Sequence, residues 1–381
     1  MDFSWTEEQL ALRRTIVDFA RSELADGVRD DDRAGAFPRA KWRKCAAMGI
    51  QGLAVPEEFG GTNHDVLTTL FAVEALGYGC PDAGLIFAIG AQMWAVQTPI
   101  LRFGSDEQRS RYLPGLVSGE IIGAHAITEP GSGSDAFAMA TTAERRGDAY
   151  VLNGSKTFVT NAPIADLFVV FASTNRKRGF LGVTAFLIDR DTPGLSVGRP
   201  IEKMGIRTSP MGEVFLSDCV VPASSLLGRD GNGGTIFKHS MGWERTCILA
   251  GAVGAMERQL EACIAYASKR EQFGQAIGKF QSVSNKIVEM KVRLESSRLL
   301  MYRAGWLRAS GSEAGVEVAM AKLCISEAFV ASSLDAIQVH GGYGYATETG
   351  IERDLRDALG ARIYSGTSEI QLDIIARAIG L

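Results

Sequence analysis

Apolar residues recur at helical spacing from the start of the chain. Leu10, Leu12, Ile16, Phe19 and Ala20 follow Thr6, a hydroxyl side chain suited to capping a helix N-terminus. Glu58-Phe59-Gly60-Gly61-Thr62, after Val55-Pro56, reads as a turn. The stretch 83–101 is apolar on nearly every face and includes Gly84, Gly90 and Ala91, which predicts a helix buried on all sides. Gln92, Gln97 and Pro99 interrupt it, so it makes a poor membrane span. The first block, 1–121, is expected to be an all-helical domain.

Near Glu120 the period shortens. Short runs at 121–127, 142–146, 150–152, 156–160, 167–172, 183–188, 195–197 and 214–216 read as strands, with turn residues such as Gly147-Asp148 and Asn153-Gly154 between them. They predict a β domain over 122–232. From about Gly234 the helical period returns, with long proline-free segments at 248–269, 282–309 and 313–340. Ser368-Glu-Ile-Gln371 has the spacing of a capping box opening a last helix over 370–379. A second helical domain, 233–381, is therefore expected, and the fold class is α+β.

Composition narrows the classes of function. A chain of 381 residues suits two or three domains, and 46% hydrophobic with 22% charged residues suits a globular protein. A net charge of -4 argues against a nucleic-acid partner, which usually meets a basic face. Cys45, Cys80, Cys219, Cys247, Cys263 and Cys324 stand singly and read as reduced core thiols. The four histidines are isolated too, so no metal site is expected. The first nine residues, Met-Asp-Phe-Ser-Trp-Thr-Glu-Glu-Gln, show neither an Arg-rich leader nor an apolar signal core, which points to the cytoplasm.

Five segments carry candidate chemistry. Ile127-Thr-Glu-Pro-Gly-Ser-Gly-Ser-Asp135 is a tight loop whose backbone N–H groups can face a ligand. Gly154-Ser-Lys-Thr-Phe-Val-Thr-Asn161 reads as a strand with an outward Thr. Arg270-Glu-Gln-Phe-Gly-Gln275, with Phe280-Gln281, follows a long helix and places a permanent planar charge in a bend. Gln338-Val-His-Gly-Gly-Tyr-Gly-Tyr345 has glycines that allow close backbone approach, while His340 reads as a packed residue. The fifth is Ala361-Arg-Ile-Tyr-Ser-Gly-Thr-Ser-Glu-Ile-Gln371.

Taken in order, these segments resemble the acyl-CoA dehydrogenase family over about 240 residues. The resemblance implies an N-terminal helical domain, a middle β-sheet or barrel domain and a C-terminal four-helix bundle. It implies FAD. Thr128 would then hydrogen-bond the isoalloxazine edge, with His125 and Ile127 near the ring and Ser134 toward the pantetheine. Phe158 would pack beside the flavin, and Thr160 would contact its N5 and O4 region. Arg270 would reach the pyrophosphate of FAD in a neighbouring subunit, and Phe273 and Gln281 would help to bury it. Gln338 and Gly342 would hold the adenylate half across a dimer, and Thr367 and Glu369 would complete the set. FAD shared between chains implies a homodimer or homotetramer.

The chemistry implied is α,β-dehydrogenation of an acyl thioester. It needs a base for the α proton, a hydride acceptor over the β carbon, and donors to the thioester oxygen. In many members the carboxylate before Gly-Thr in the last segment is that base; here the position holds Ser365, whose hydroxyl does not ionise near neutral pH. Some members carry the base on an earlier helix, at the carboxylate before Arg. In Ser240-Met-Gly-Trp-Glu-Arg-Thr246 that residue is Glu244, followed by Arg245, which with Ser365 would line the substrate. The ordinary alternative is a Glu-Arg pair at the surface. Met241-Gly-Trp-Glu-Arg, Met256-Glu-Arg-Gln-Leu and Arg293-Leu-Glu-Ser-Ser-Arg-Leu-Leu are similar to the branch that oxidises aminoacyl or acyl groups on carrier proteins, to which prolyl-carrier-protein dehydrogenases of pyrrole-forming pathways belong; there a second oxidation can aromatise the ring. The handle is thus CoA or a carrier protein, and the acceptor electron-transferring flavoprotein or dioxygen. Two other classes remain open: an inactive flavin-binding subunit, and a flavin monooxygenase on the same scaffold. A carrier protein is usually acidic and calls for a basic dock. The one dense basic run, Arg176-Lys-Arg178, reads first as a solvated turn between strands.

Overall fold

The computed structural model describes residues 4–312 and 314–381. Glu313, where the sequence pattern starts a long helix, lies outside the described residues, as do the first three residues of the chain. Helices α1 (Glu7–Glu23), α2 (Val28–Ala34), α3 (Arg39–Ala47), α4 (Val66–Gly79), α5 (Ala83–Gln92), α6 (Thr98–Phe103) and α7 (Asp106–Ser118) form the first layer. Thr6 caps α1 as its sequence suggests, in a reciprocal box with Gln9. A π-helical turn, Met93–Gln97, joins α5 to α6, so the apolar stretch is one continuous rod, Ala83–Phe103. It is long and apolar enough to span a membrane by length and composition, but 89% of its apolar window is buried inside the protein.

The middle layer is a mixed sheet of β1 (Gly123–Ala126), β2 (Thr142–Arg146), β3 (Ala149–Thr160), β4 (Leu167–Ser173), β5 (Val183–Asp189), β6 (Leu195–Val197), β7 (Met211–Pro222) and β8 (Leu226–Leu227). The strands run in the order β6-β7-β3-β2-β4-β5-β8, with β1 parallel to β4. Along β4 the side chains alternate between two cores. Phe168, Val170 and Ala172 pack within the sheet domain, whereas Leu167, Val169 and Phe171 pack against Val96, Ile100, Leu113 and Leu116 from the helices. Both faces of β4 are therefore buried, which is why its sequence is an unbroken apolar run. The two separate strands expected at 150–152 and 156–160 are one strand, β3. Its partner β7 is offset by register shifts at Leu152/Gly154 and Lys156/Val159, so Asn153-Gly154 is a bulge and not a turn.

Helices α8 (Gly233–Cys247), α9 (Ala250–Lys269), α10 (Gln281–Ala309), α11 (Gly315–His340), α12 (Gly342–Tyr345), α13 (Ile351–Ala361) and α14 (Ser368–Ala378) make the last layer, with β9 (Glu271–Gln272) and β10 (Gln275–Ala276) a small hairpin after α9. One apolar core runs from α1 and α4 into α9, α10 and α11. The cap of α14 is Thr367, one residue before the predicted Ser368; the Ser368 hydroxyl turns away and donates to Glu327 Oε1 at 2.7 Å. All six cysteines are free, five of them buried.

Candidate active site

Glu244 lies on α8, and only 9% of it is exposed. Its Oε1 accepts a 2.5 Å hydrogen bond from the Ser365 hydroxyl. Burial pushes its carboxyl above the ordinary glutamate range, against the Ser365 bond and the charges of Arg245 and Lys322, which favour the ionised form. Among the described residues Glu244 is not in a surface Glu-Arg pair. Arg245 instead donates from Nε to the Ser365 carbonyl at 2.9 Å.

Ser365 sits in the left-handed region at φ 58°, an uncommon conformation for a residue with a side chain. Three donors hold the turn around it. Arg245 takes the Ser365 carbonyl, and the Gly366 carbonyl accepts from Lys322 Nζ at 2.7 Å and Gln371 Nε2 at 2.9 Å. Gly366, at φ 89°, has no room for a side chain, because a Cβ there would stand 2.8 Å from Gln371 Nε2 and 3.0 Å from Arg245 Nη2. The turn is over-determined, as strained segments at functional sites usually are. Lys322 is fully buried on α11. Desolvation pulls its ammonium down to about 8, with Arg245 adding to the pull and Glu327, Glu369 and Glu244 opposing it.

Aromatic pairs flank Glu244 and Ser365 in sequence, at Trp243 and Tyr364. Trp243 stacks on Trp94 of the π turn at 6.1 Å, with the Arg308 guanidinium 5.1 Å from its ring, and Tyr364 packs on Phe87 at 4.4 Å. π turns recur at functional sites because they re-aim side chains out of helical register, as this one does with Trp94.

A second group gathers on the sheet. His125 of β1 lies against Phe171 (4.9 Å) and Phe237 (6.2 Å), and its Nε2 is buried with no partner among the described residues. Burial, helped by the Lys156 charge, lowers its pKa to about 4. Ile127 is buried and Thr128 half-buried; the Thr128 carbonyl accepts from Thr157 N at 2.8 Å, tying the Gly-Ser loop to β3. Beneath them Lys156 donates to Glu129 Oε1 at 2.7 Å and to the Ile127 carbonyl at 3.2 Å. Desolvation takes Lys156 down to about 8. Burial alone would raise Glu129, but bonds from Lys156, Thr141 and Ala140 outweigh it and hold it below its usual value. The bulge in β3 turns Phe158 outward at φ 55°, where 60% of it is exposed, and Thr160 closes the strand half-buried. Ser134 is exposed at the loop tip.

A third group lies around a cleft of about 780 Å³ between the hairpin after α9 and the end of α11. Arg270, Phe273, Gln338 and Gly342 line it, and none of the sheet group does. Phe273 is 94% exposed at φ 51°, and a Cβ on Gly341 or Gly342 would meet nothing within 4 Å. Gln281 opens α10 just outside the lining residues. Thr367 is the cap of α14, and Glu369 points to solvent in its first turn. His340 is packed on Tyr266 at 4.5 Å with Nδ1 on the Ala336 carbonyl, as its sequence context suggests. The sequence reading missed Lys322 and the Trp94–Trp243 stack. The signal for Lys322 was there, a single cation inside the apolar text Val-Ala-Met-Ala-Lys-Leu-Cys-Ile of α11.

A flavin dinucleotide fits these groups. The orphaned His125 Nε2, the outward Phe158 ring and the open backbone at Gly131 and Gly133 suit an isoalloxazine. The Arg270 and Gly341-Gly342 cleft suits its phosphates and adenosine, since a planar cation and bare backbone can approach them closely.

Three family models cover most of the chain: acyl-CoA dehydrogenase N-terminal domain over 6–120, middle domain over 124–219 and C-terminal domain over 231–380. A similar curated relative is the L-prolyl-[peptidyl-carrier protein] dehydrogenase of Serratia sp., 45% identical over 381 residues, which are 100% of this chain and 99% of the relative. Among solved structures, the prolyl acyl carrier protein oxidase AnaB is 49% identical with a TM-score of 0.98, covering 99% of this chain and 100% of its own. PigA with FAD and proline is 44% identical with a TM-score of 0.98, and both chains are fully covered.

Proposed function

Because this chain belongs to the acyl-CoA dehydrogenase family, we propose that it oxidises a prolyl group held as a thioester on a carrier protein. It is an FAD-dependent oxidoreductase that forms a double bond between the α and β carbons of an acyl thioester. When bound, FAD accepts the β hydrogen as hydride. The rest of the step falls to residues of this chain.

Glu244 is the base. The observation that carries this reading is the 2.5 Å contact between its carboxylate and Ser365. The position from which many members present their carboxylate and the helix that bears Glu244 meet at one point, so a base on α8 serves the same α carbon. Burial that raises Glu244 brings its basicity closer to that of a working base near neutral pH. The Ser365 hydroxyl orients it before substrate binds, and the Ser365 backbone N–H donates to the thioester oxygen. Arg245 and Lys322 fix the turn that carries both. The aromatic walls at Trp94, Trp243 and Tyr364 exclude water from the proton-transfer site.

His125, Ile127, Thr128, Phe158 and Thr160 hold the flavin edge, with Ser134 toward the pantetheine. Arg270, Phe273, Gln281, Gln338, Gly342, Thr367 and Glu369 serve the dinucleotide of a neighbouring copy, in a homodimer or homotetramer. The separation of the Arg270 cleft from the sheet group supports sharing between chains. Domains 1–121, 122–232 and 233–381 follow the change from helix to sheet before Gly123 and back to helix at Gly233. Buried reduced thiols support a cytoplasmic location. Electrons leave to electron-transferring flavoprotein or dioxygen.

Anaerobic mixing of the FAD-loaded protein with a panel of acyl-CoAs and a prolyl-loaded carrier protein tests the substrate. Prolyl-carrier protein is expected to bleach the flavin absorbance faster than any acyl-CoA. Bleaching by a fatty acyl-CoA in preference would contradict the proposal, and bleaching by no thioester would favour an inactive flavin subunit.

A further inference from the structure

The helix that bears Glu244 runs outward to a basic, partly apolar surface at its N-terminal end. Phe237 lies two turns before Glu244 on the same side of α8, and Gly234 lies just beyond it. From Glu244 to Gly234 the helix spans about 15 Å, at 1.5 Å per residue. Phe237 stacks toward His125 at 6.2 Å and meets Phe137, from the end of the Gly-Ser loop, at 5.6 Å. Phe137 in turn meets Phe180 at 5.0 Å. The Phe180 ring lies on the bare backbone of Gly234, where a Cβ would stand 2.6 Å from it.

Phe180 belongs to the 3₁₀ segment Arg176–Gly182 between β4 and β5. The whole run from Arg176 to Leu181 is exposed, with Phe180 at 39% and Leu181 at 55%. Arg176, Lys177 and Arg178 lie in it. Arg229, two residues before the Gly231 that packs on the Leu181 carbonyl, is exposed beside it. Asp230, the carboxylate next to Arg229, already accepts from the Thr174 and Thr184 hydroxyls. Basic charge therefore collects here in a chain whose net charge is -4.

We propose that Arg176–Leu181, with Arg229, is the docking surface for the acidic carrier protein that delivers the thioester. The proposal rests on the carrier-protein reading above. Charge complementarity chooses the partner, and the exposed Phe180 and Leu181 give the contact an apolar centre inside a charged rim. Position fixes the rest. A phosphopantetheine arm laid along the α8 face from Glu244, past Met241 and Phe237, emerges where this segment closes the face. The solvated turn read from the sequence becomes a dock because folding sets it at the end of the catalytic helix.

The test compares wild-type holoprotein with K177E/R178E and with R229E. Arg176 is left in place because it donates to the Ala140 carbonyl. Anaerobic flavin reduction is followed with prolyl-carrier protein, prolyl-CoA and prolyl-N-acetylcysteamine, and carrier binding to the oxidised protein is followed by fluorescence anisotropy. Both variants should bind the carrier and use it at least about tenfold less well, with a weaker salt dependence than wild type. Reduction by prolyl-N-acetylcysteamine, flavin content and melting temperature should not change. Unchanged carrier binding, an equal loss with all three thioesters, or a loss confined to prolyl-CoA would overturn the dock; the last would mean that the surface binds the CoA nucleotide. Failure of the carrier-protein reading looks different, since wild type itself would then not be bleached by prolyl-carrier protein.

Discussion

At the scale of single residues, the pair Glu244 and Ser365 was legible in the sequence. A carboxylate before Arg and a hydroxyl in the place of another carboxylate are visible as text. Their contact was not, because 121 positions separate them and the left-handed turn at Ser365 that closes the gap has no local signature. Lys322 was hidden for a related reason: its meaning comes from the Gly366 carbonyl, which only the packing of α11 against the turn supplies. The hydrogen bond makes a pH prediction. A base works ionised, so kcat/KM falls as pH drops through the Glu244 pKa, which burial sets above the ordinary glutamate value. The Ser365 hydroxyl favours the ionised form. S365A should therefore move the acid limb of the profile to higher pH, while the alkaline plateau keeps most of its height. A limb that stays in place or moves to lower pH would show that Ser365 does not act on the base. His125 adds no limb of its own above pH 5, because burial holds it near 4 and neutral.

At the scale of elements, short strands such as Thr142–Arg146 and Leu195–Val197 stand where period-2 patterning placed them. Long helices did so too, since periodicity is a property of one segment. What joins two elements was less legible. Asn153-Gly154 spells a turn, but it forms a bulge in which Gly154 lies so close to the preceding segment that a Cβ would stand 2.4 Å from Thr141 Oγ1. The crossing of α4 and α9 depends on glycines in the same way. A Cβ on Gly77 would stand 2.0 Å from the Gly251 carbonyl oxygen, and one on Gly254 would stand 2.0 Å from that of Glu74. The two backbones touch, which locks the first helical layer to the last. G254A forces them apart and should cost about 2 kcal/mol, as overpacking of a close core contact does. G315A, where a Cβ meets nothing within 4 Å, is the control. Thermal melts of the FAD-loaded variants check this: the midpoint should fall for G254A and hold or rise for G315A. Equal midpoints would mean that the crossing relaxes without cost.

At the scale of the whole molecule, the order of helical, sheet and helical layers could be read from the change in hydrophobic period near positions 120 and 234. The reason for that order appears only in three dimensions. The sheet provides β1 and the bulged β3 for the flavin edge proposed above, α8 and the turn before α14 bring Glu244 and Ser365 together, and the rod Ala83–Phe103 contributes Trp94 and Phe87 to the aromatic pairs beside them. Each layer adds a part that the others lack. The central claim is that this assembly exists to place the Glu244 carboxylate against a substrate α carbon. Anaerobic stopped-flow of E244Q with the thioester that bleaches wild type tests it most directly. Gln keeps the shape and cannot take the proton, so flavin should stay bound at wild-type stoichiometry while its reduction slows by about 10² to 10⁴-fold. Reduction of E244Q at close to the wild-type rate would contradict the assignment.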